Sequence, residues 1–176
     1  MTETAEVPEQ ALRLNALSLD EATEALARCC SAVRWVEAML ARRPFASRAA
    51  LLAAAAEVWS QMSAEDLREA FAEHPEIGAN LAELREKFGA TADWASAEQR
   101  GAVGASVATL IALRDGNQAY RARFGYSFIV CATGKSADEM RALLEARLAN
   151  SAELELGIAA TEQAKITHLR LEKLEA

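Results

Sequence analysis

The stretch FIVCATGKSADEM, residues 128–140, joins an extended apolar run to a helix start. Gly134-Lys135-Ser136 follows the apolar run, as it would in a phosphate-binding loop. Such a loop needs a second glycine upstream, at the G-x-x-x-x-G-K spacing, so that backbone N–H groups can wrap the phosphates. Ile129 occupies that position here. Ser136 and Glu139 instead fit a capping box, so the sequence predicts a helix beginning just after Ser136 and an extended segment before it.

The same helix-start signal recurs along the chain. A serine followed by an acidic residue or glutamine at the capping-box spacing precedes apolar periodicity in four places: Ser18 with Glu21, Ser63 with Asp66, Ser96 with Gln99, and Ser136 with Glu139. The first predicted helical region covers residues 19–40, as one long or two short helices. The second is capped by Ser47 and runs through residue 59. The remaining predicted helices cover residues 64–73, 80–88, 97–124, 137–149 and 152–174.

Composition supports a helical protein. Apolar residues make up 52% of the 176-residue chain and aromatic residues only 6%. Alanine-rich amphipathic segments with few β-branched residues favour helices. We therefore predict an all-α, single-domain multi-helix bundle over residues 1–176, with a flexible segment at residues 1–10 and a short extended segment near 127–133.

Charge and cysteine content exclude several classes of partner. The net charge of −7 disfavours a nucleic-acid surface. No apolar stretch is long enough to predict a membrane span. The three cysteines form neither a disulfide framework nor a zinc spacing. We expect a protein of the reducing cytoplasm that binds neither nucleic acid nor membrane.

Three single residues have both a structural and a functional interpretation. His74, held before Pro75, either meets the dipole at a helix end or acts as a general acid or base. Glu98 lies in the first turn of a predicted helix, where it either stabilises the dipole or serves a site. Arg170 either covers apolar neighbours with its stem or clamps an anion. Taken alone, the structural interpretation is favoured for both His74 and Glu98.

A series of motifs, taken together, resembles one family. In chain order these are HPEIG at 74–78, ASAEQ at 95–99, YRARFG at 120–125, FIVCATGKSADEM at 128–140, RLAN at 147–150 and KITHLRL at 165–171. The chain resembles the 2-oxo-4-hydroxy-4-carboxy-5-ureidoimidazoline (OHCU) decarboxylases of purine degradation. The resemblance extends over roughly residues 12–174, and the order of the motifs makes it specific.

The resemblance implies a fold and an activity. It implies an all-α protein, a homodimer, and a carboxy-lyase that converts OHCU to (S)-allantoin and CO₂ without a metal or other cofactor. It assigns His74 to proton transfer at the carbon bearing the hydroxyl and carboxyl groups. Glu98 and Arg170 complete the catalytic set. The substrate-binding residues that it implies are Pro75, Gln99, Phe128, Ile129, Val130, Cys131 and Ala132.

One departure and two alternatives remain open at this stage. Some members of the family carry a serine at the position of Ala95, and here the serine is the next residue, Ser96. Ser96 is therefore interpreted either as a substitute in a shifted register or as a helix cap. The alternative functions are a non-enzymatic helical protein-interaction module and an inactive relative of the family.

Overall fold

The regular secondary structure of the described residues is entirely helical. The computed structural model describes residues 12–75 and 107–176. These residues form α1 (Arg13–Ala16), α2 (Leu19–Cys29), α3 (Val33–Leu40), α4 (Arg48–Ser60), α5 (Ala64–Ala72), α6 (Val107–Phe124), α7 (Ala137–Arg147) and α8 (Ala152–Leu174). No strand occurs within them, which confirms the all-α prediction. In the same ranges, no helix is both long and apolar enough to cross a membrane.

The chain divides into two compact units. The first comprises Met1–Asp66 and Thr167–Ala176, and the second comprises Leu67–Ile166. Helices α5 and α8 run from one unit into the other along the chain. The predicted flexible segment at residues 1–10 lies outside the described residues, and the single domain over 1–176 stays a prediction.

Side-chain caps begin the helices as the sequence predicts. Ser18 and Glu21 form a complete capping box at α2, and Ser136 and Glu139 form another at α7. At α5, the backbone N–H of Ser63 donates to Asp66 at 2.8 Å, and the hydroxyl of Ser63 accepts from the N–H of Asp66 at 3.2 Å. Ser47 accepts from the N–H of Ala50 at α4. Each cap satisfies backbone donors that a helix start leaves unpaired.

The predicted helix bounds agree with the described helices, with three qualifications. Residues 19–40 form two short helices, because the chain is extended at Cys30 between them. The predicted helix at 80–88, and the first part of the one at 97–124, lie outside the described residues. Helix α1 was not predicted from the sequence. Its N–H groups at Arg13 and Leu14 donate to the carboxylate of Glu175, at 2.6 and 2.9 Å.

The first unit has a core of large side chains from α1 to α4. Its fully buried members are Leu14, Leu26, Trp35, Met39 and Leu51. The core of the second unit contains an aromatic cluster. The ring of Tyr120 lies 4.6, 5.8 and 5.4 Å, between centroids, from the rings of Phe124, Tyr126 and Phe128.

A buried ion pair contacts this aromatic cluster, with the Arg147 guanidinium 4.5 Å from the centroid of the Phe128 ring. Arg147 and Glu155 are 7% and 0% exposed, and Nε of Arg147 donates to the Glu155 carboxylate at 2.7 Å. The same carboxylate accepts from the Tyr120 hydroxyl and from the Asn150 side chain at 2.7 Å. The guanidinium also donates to the carbonyl of Ile129 at 2.8 Å. Burial, followed by the hydrogen bond to Glu155, raises the pKa of Tyr120, so its hydroxyl stays a donor.

The variant Glu155→Gln is expected to destabilise the protein by about 3–5 kcal/mol, because it leaves the Arg147 guanidinium buried without its counter-charge. Urea unfolding followed by circular dichroism measures this change in the free energy of unfolding. The matched control is Glu153→Gln, an exposed residue in the first turn of the same helix, which should cost about 1 kcal/mol or less. Equal stabilities of the two variants would contradict the prediction.

Candidate active site

His74 lies just beyond the end of α5, and a buried amide holds its ring. The backbone N–H of His74 donates to the carbonyl of Phe71 at 3.2 Å, which closes the last turn. Its Nε2 contacts Oε1 of Gln163 on α8, and Gln163 is 0% exposed. His74 is half-buried and Pro75 is exposed. The histidine is therefore partly exposed, while one of its ring nitrogens contacts a buried side chain.

The predicted extended segment is confirmed between two glycines. Gly125 and Gly134 have φ values of 83° and 78°, in the left-handed region that residues with a Cβ rarely adopt. The N–H of Gly125 donates to the carbonyl of Arg121 at 2.8 Å, so this glycine ends α6. Between the glycines, residues 126–132 are all buried and lie outside any helix. The segment thus brings non-helical backbone into the interior of a helical unit.

Three charged side chains hold one edge of this segment. The carbonyl of Ile129 accepts from Arg147 at 2.8 Å. The N–H of Cys131 donates to Glu162 at 2.8 Å, and the carbonyl of Cys131 accepts from Lys135 at 2.8 Å. Residues two apart in an extended chain direct their backbone groups to the same side. The fixed groups of Ile129 and Cys131 therefore form one anchored edge.

The opposite edge carries the backbone groups of Val130 and the N–H of Ala132. The carbonyl and the N–H of one trans peptide point in opposite directions, and the peptides of this segment are trans. Anchoring the Ile129 carbonyl and the Cys131 N–H thus turns both polar groups of Val130 the other way. Within residues 12–75 and 107–176, neither group has a hydrogen-bond partner. This edge offers a donor and an acceptor side by side.

Helix α8 positions both the histidine and the segment. Glu162, which binds the Cys131 N–H, directly precedes Gln163, which contacts His74. Consecutive Cα atoms are about 3.8 Å apart, so the two contacts occur at one place on the helix. A second link joins the same parts, because the rings of Phe71 and Tyr126 pack with centroids 5.0 Å apart. The second unit thus links His74 and the extended segment through α8 and through the contact between Phe71 and Tyr126.

Glu162 is a charged member of the anchored edge. Its side chain is 12% exposed. Burial by itself raises the pKa of this carboxyl, but hydrogen bonds from Lys165, at 2.5 Å, and from the N–H of Cys131 outweigh burial and lower the pKa overall. Glu162 is consequently ionised at neutral pH.

The remaining predicted site residues have separate positions. Arg170 belongs to the first unit, where it is half-buried and Nη1 donates to the carbonyl of Arg28 at 3.4 Å. Glu98 and Gln99 lie outside the described residues, as do Ala95 and Ser96. Phe128, Ile129, Val130, Cys131 and Ala132 are the segment residues, and each is buried.

The three cysteines are buried and form no disulfide bond. Burial raises the pKa of Cys29 to about 12, so its thiol is neutral and unreactive at physiological pH. Cys131 is a small buried side chain, as the sequence predicts, and its backbone carries the contacts described above. Among the described residues, no three His, Cys, Asp or Glu side chains are grouped so that they could hold a metal ion.

Comparison with known proteins extends the resemblance seen in the sequence. The family model for OHCU decarboxylase matches residues 15–172. The chain belongs to the OHCU decarboxylase family. The uric acid degradation bifunctional protein TTL of Arabidopsis thaliana is 34% identical over 148 residues, which are 83% of this chain and 45% of that protein. The chain therefore spans less than half the length of this relative.

Two solved structures have a similar fold. A crystal structure of OHCU decarboxylase in the presence of (S)-allantoin has a TM-score of 0.69 and 32% identity, over 86% of this chain and 96% of that one. A crystal structure of (S)-allantoin synthase has a TM-score of 0.65 and 20% identity, over 92% of this chain and 52% of that one. The second similarity concerns the fold alone.

Sequence reasoning missed the side chains that hold His74 and the extended segment. Arg147 and Asn150 belong to the RLAN motif that carried the resemblance, but the motif suggested no role for them. Glu162 and Gln163 had no signal beyond an EQ pair in a long helix. Lys135 was considered only as part of a phosphate loop. Except for Lys135, whose partner Cys131 is four residues away, each of these residues contacts a partner that is distant along the chain or on another element.

The variant Glu162→Gln should be less stable than the parent at neutral pH, and the difference should shrink as pH falls. The folded-state pKa of Glu162 lies below its ordinary value, so its stabilisation is present above the unfolded pKa and is lost as pH falls through the folded pKa. Urea unfolding between neutral pH and about pH 3 tests this.

The control for Glu162→Gln is Glu145→Gln, which removes a surface ion pair with Arg141 in the same unit. Exposed pairs contribute little to stability, so this variant should follow the parent at every pH. A stability difference for Glu162→Gln that is independent of pH would contradict the electrostatic role.

Proposed function

We propose that this protein catalyses the decarboxylation of OHCU to (S)-allantoin and CO₂ in urate catabolism. The observation that carries the proposal is the pairing of a held histidine with an extended backbone edge in one unit. His74 supplies a titratable group, and Val130 supplies an adjacent donor and acceptor. Membership of the OHCU decarboxylase family favours this activity over a non-enzymatic helical module.

The chemistry of the substrate explains what the site must supply. The carboxylate of OHCU is attached to a ring carbon that also bears a hydroxyl, and the neighbouring ring carbon forms a C=N bond. When the bond to CO₂ breaks, its electron pair moves into the ring and onto that nitrogen, which takes up a proton. The hydroxyl then loses its proton to become a carbonyl, and the neighbouring carbon gains one. The ring itself accepts the electrons, so the step requires no external electron sink.

His74 performs the proton transfer in this scheme. An imidazole titrates near neutral pH and can exchange protons with a hydroxyl or a ring carbon. Pro75 restricts the backbone next to it. Because the ring is held on one side by Gln163, it approaches a bound substrate from a single direction. Proton delivery to one face of the planar intermediate then produces one enantiomer of allantoin.

The free edge of the extended segment recognises the ring. A cyclic ureide presents N–H and C=O groups around a flat ring, and the N–H and C=O of Val130 match one such pair. The N–H of Ala132 points to the same side. Because Arg147, Glu162 and Lys135 fix the opposite edge, this pattern is preorganised and need not be ordered at each turnover. The family resemblance also assigns Phe128, Ile129 and Cys131 to recognition of the ring.

Three further residues complete the proposal from the family resemblance. Glu98 accepts hydrogen bonds from ring or ureido N–H groups and fixes the orientation of the ring, and Gln99 adds to these contacts. Arg170 offsets the negative charge of the substrate and of the transition state, as a guanidinium does for a carboxylate.

The variant His74→Gln should lower kcat by about 10²- to 10⁴-fold, the usual contribution of a general acid or base. The substrate is generated in situ from urate by urate oxidase and hydroxyisourate hydrolase, and the circular dichroism of the allantoin is recorded with time. The parent should produce a growing (S)-allantoin signal. The variant should give only the slow, racemic background reaction.

The matched control is His168→Gln, since His168 is the other of the two histidines and is exposed on α8. It should retain the parent rate and handedness. A folded parent that does not accelerate the reaction would overturn the decarboxylase proposal and favour the interaction module or the inactive relative. Full activity in His74→Gln would overturn the role of that residue alone.

The variant Arg170→Met should lower kcat/KM by about 10²- to 10³-fold if this guanidinium stabilises developing charge. Arg170→Lys should recover part of the loss, because an ammonium keeps the charge but not the planar fork. Arg28→Met, an exposed residue in the last turn of α2, is the control and should behave like the parent. Equal rates for all three variants would contradict the proposed role of Arg170 in the site.

We also propose that the protein is a cytoplasmic homodimer. The family resemblance supports the dimer, and buried cysteines that form no disulfide bond are compatible with a reducing compartment. Multi-angle light scattering on the purified protein measures the assembly directly.

A further inference from the structure

In the contact between His74 and Gln163, the chemistry of the two groups decides which atom donates and which accepts. An amide oxygen carries only lone pairs and can only accept a hydrogen bond. Since Oε1 of Gln163 faces Nε2 of His74, the hydrogen of this contact belongs to the ring. In the neutral imidazole, a proton on Nε2 leaves the lone pair on Nδ1. The contact therefore selects one of the two tautomers.

We propose that Gln163 is a positioning residue, which keeps His74 protonated at Nε2 and directs its basic nitrogen, Nδ1, to the reaction. The catalytic meaning of this inference rests on the proposed function, but the tautomer itself does not. In the same way, the partner of a catalytic or metal-bound histidine commonly sets which ring nitrogen is protonated.

The surroundings of Gln163 suit this role. Its side chain is fully buried, so water does not compete for the amide oxygen. The preceding residue, Glu162, binds the Cys131 N–H of the extended segment. A displacement of this turn of α8 would move both the histidine and the anchored edge. The amide is uncharged, so it fixes the ring without adding a charge that would favour the imidazolium.

A carboxylate at position 163 would have a different effect. Glu162 shows that α8 tolerates an ionised carboxylate at the adjacent position, but there Lys165 lies 2.5 Å away. In contact with His74, a carboxylate would stabilise the charged ring and raise its pKa. A glutamine at this position keeps the basic form of His74 available at a lower pH than a glutamate would.

The first test reads the tautomer and does not depend on activity. Long-range ¹H–¹⁵N spectra of the imidazoles contain signals from only two histidines, and His168→Gln assigns them. The parent should show neutral His74 protonated at Nε2. Gln163→Met, which keeps the side-chain size but removes the acceptor, should give a mixture of tautomers. The control is Gln118→Met, an exposed glutamine of the same unit, and it should leave the spectrum unchanged.

The second test uses Gln163→Glu, which retains an acceptor for Nε2. It should keep the Nε2–H form but titrate His74 at a higher pH than the parent. In the allantoin assay, the acid limb of its kcat/KM profile should move to higher pH by the same amount. Gln163→Met should instead lose about 10- to 100-fold in kcat, the effect of a misplaced catalytic group, with a smaller change in KM.

The outcomes separate the two proposals. A parent in the Nδ1–H form, or a tautomer that Gln163→Met does not alter, overturns the positioning role even if the enzyme is fully active. A tautomer that depends on Gln163, in a protein that does not accelerate decarboxylation, supports the positioning role while the proposed function fails. If Gln163→Met does not fold, Gln163→Glu decides, since an unshifted His74 titration in that variant overturns the inference.

Discussion

The second unit depends on the ion pair between Arg147 and Glu155. Taking two charges out of water is costly, and the cost is offset only when nearly every polar atom finds a partner. Here Tyr120 and Asn150 donate further hydrogen bonds to the Glu155 carboxylate. The Arg147 guanidinium also donates to the carbonyl of Ile129. The pair thus joins α6, α7 and α8 to the extended segment. An apolar substitute could fill the space but could not hold a backbone carbonyl.

That constraint explains how a helical protein can display strand-like backbone. In a helix, the backbone N–H and C=O groups bond to one another, whereas an extended chain leaves these groups unpaired along both of its edges. Buried unpaired groups are costly, so the segment needs partners along one edge. Arg147, Glu162 and Lys135 provide them with charged side chains, which form stronger hydrogen bonds than neutral groups. On the other edge, the backbone groups of Val130 have no partner among the described residues, a cost that the anchored edge compensates.

Much of the fold follows from local sequence, and much of the site does not. The helix starts at Ser18, Ser63 and Ser136 were predictable because a cap and its partner are three residues apart on the same element. Helix α1 was not, because its cap is Glu175, 162 residues away in sequence. The extended segment was recognisable from its apolar run between glycines. Its anchors were not, since Cys131 and Glu162 are 31 residues apart.

The same distinction applies to His74. Its residue type and the following proline identified it as a candidate, and the order of motifs strengthened that interpretation. The direction in which its ring donates depends on Gln163, 89 residues further along the chain, and no periodicity or motif indicates that pair. The two consecutive residues of α8 also differ in kind for a physical reason. A charged Glu162 suits a backbone N–H, which never changes protonation, whereas the neutral amide of Gln163 suits the proton transfer that we propose for His74.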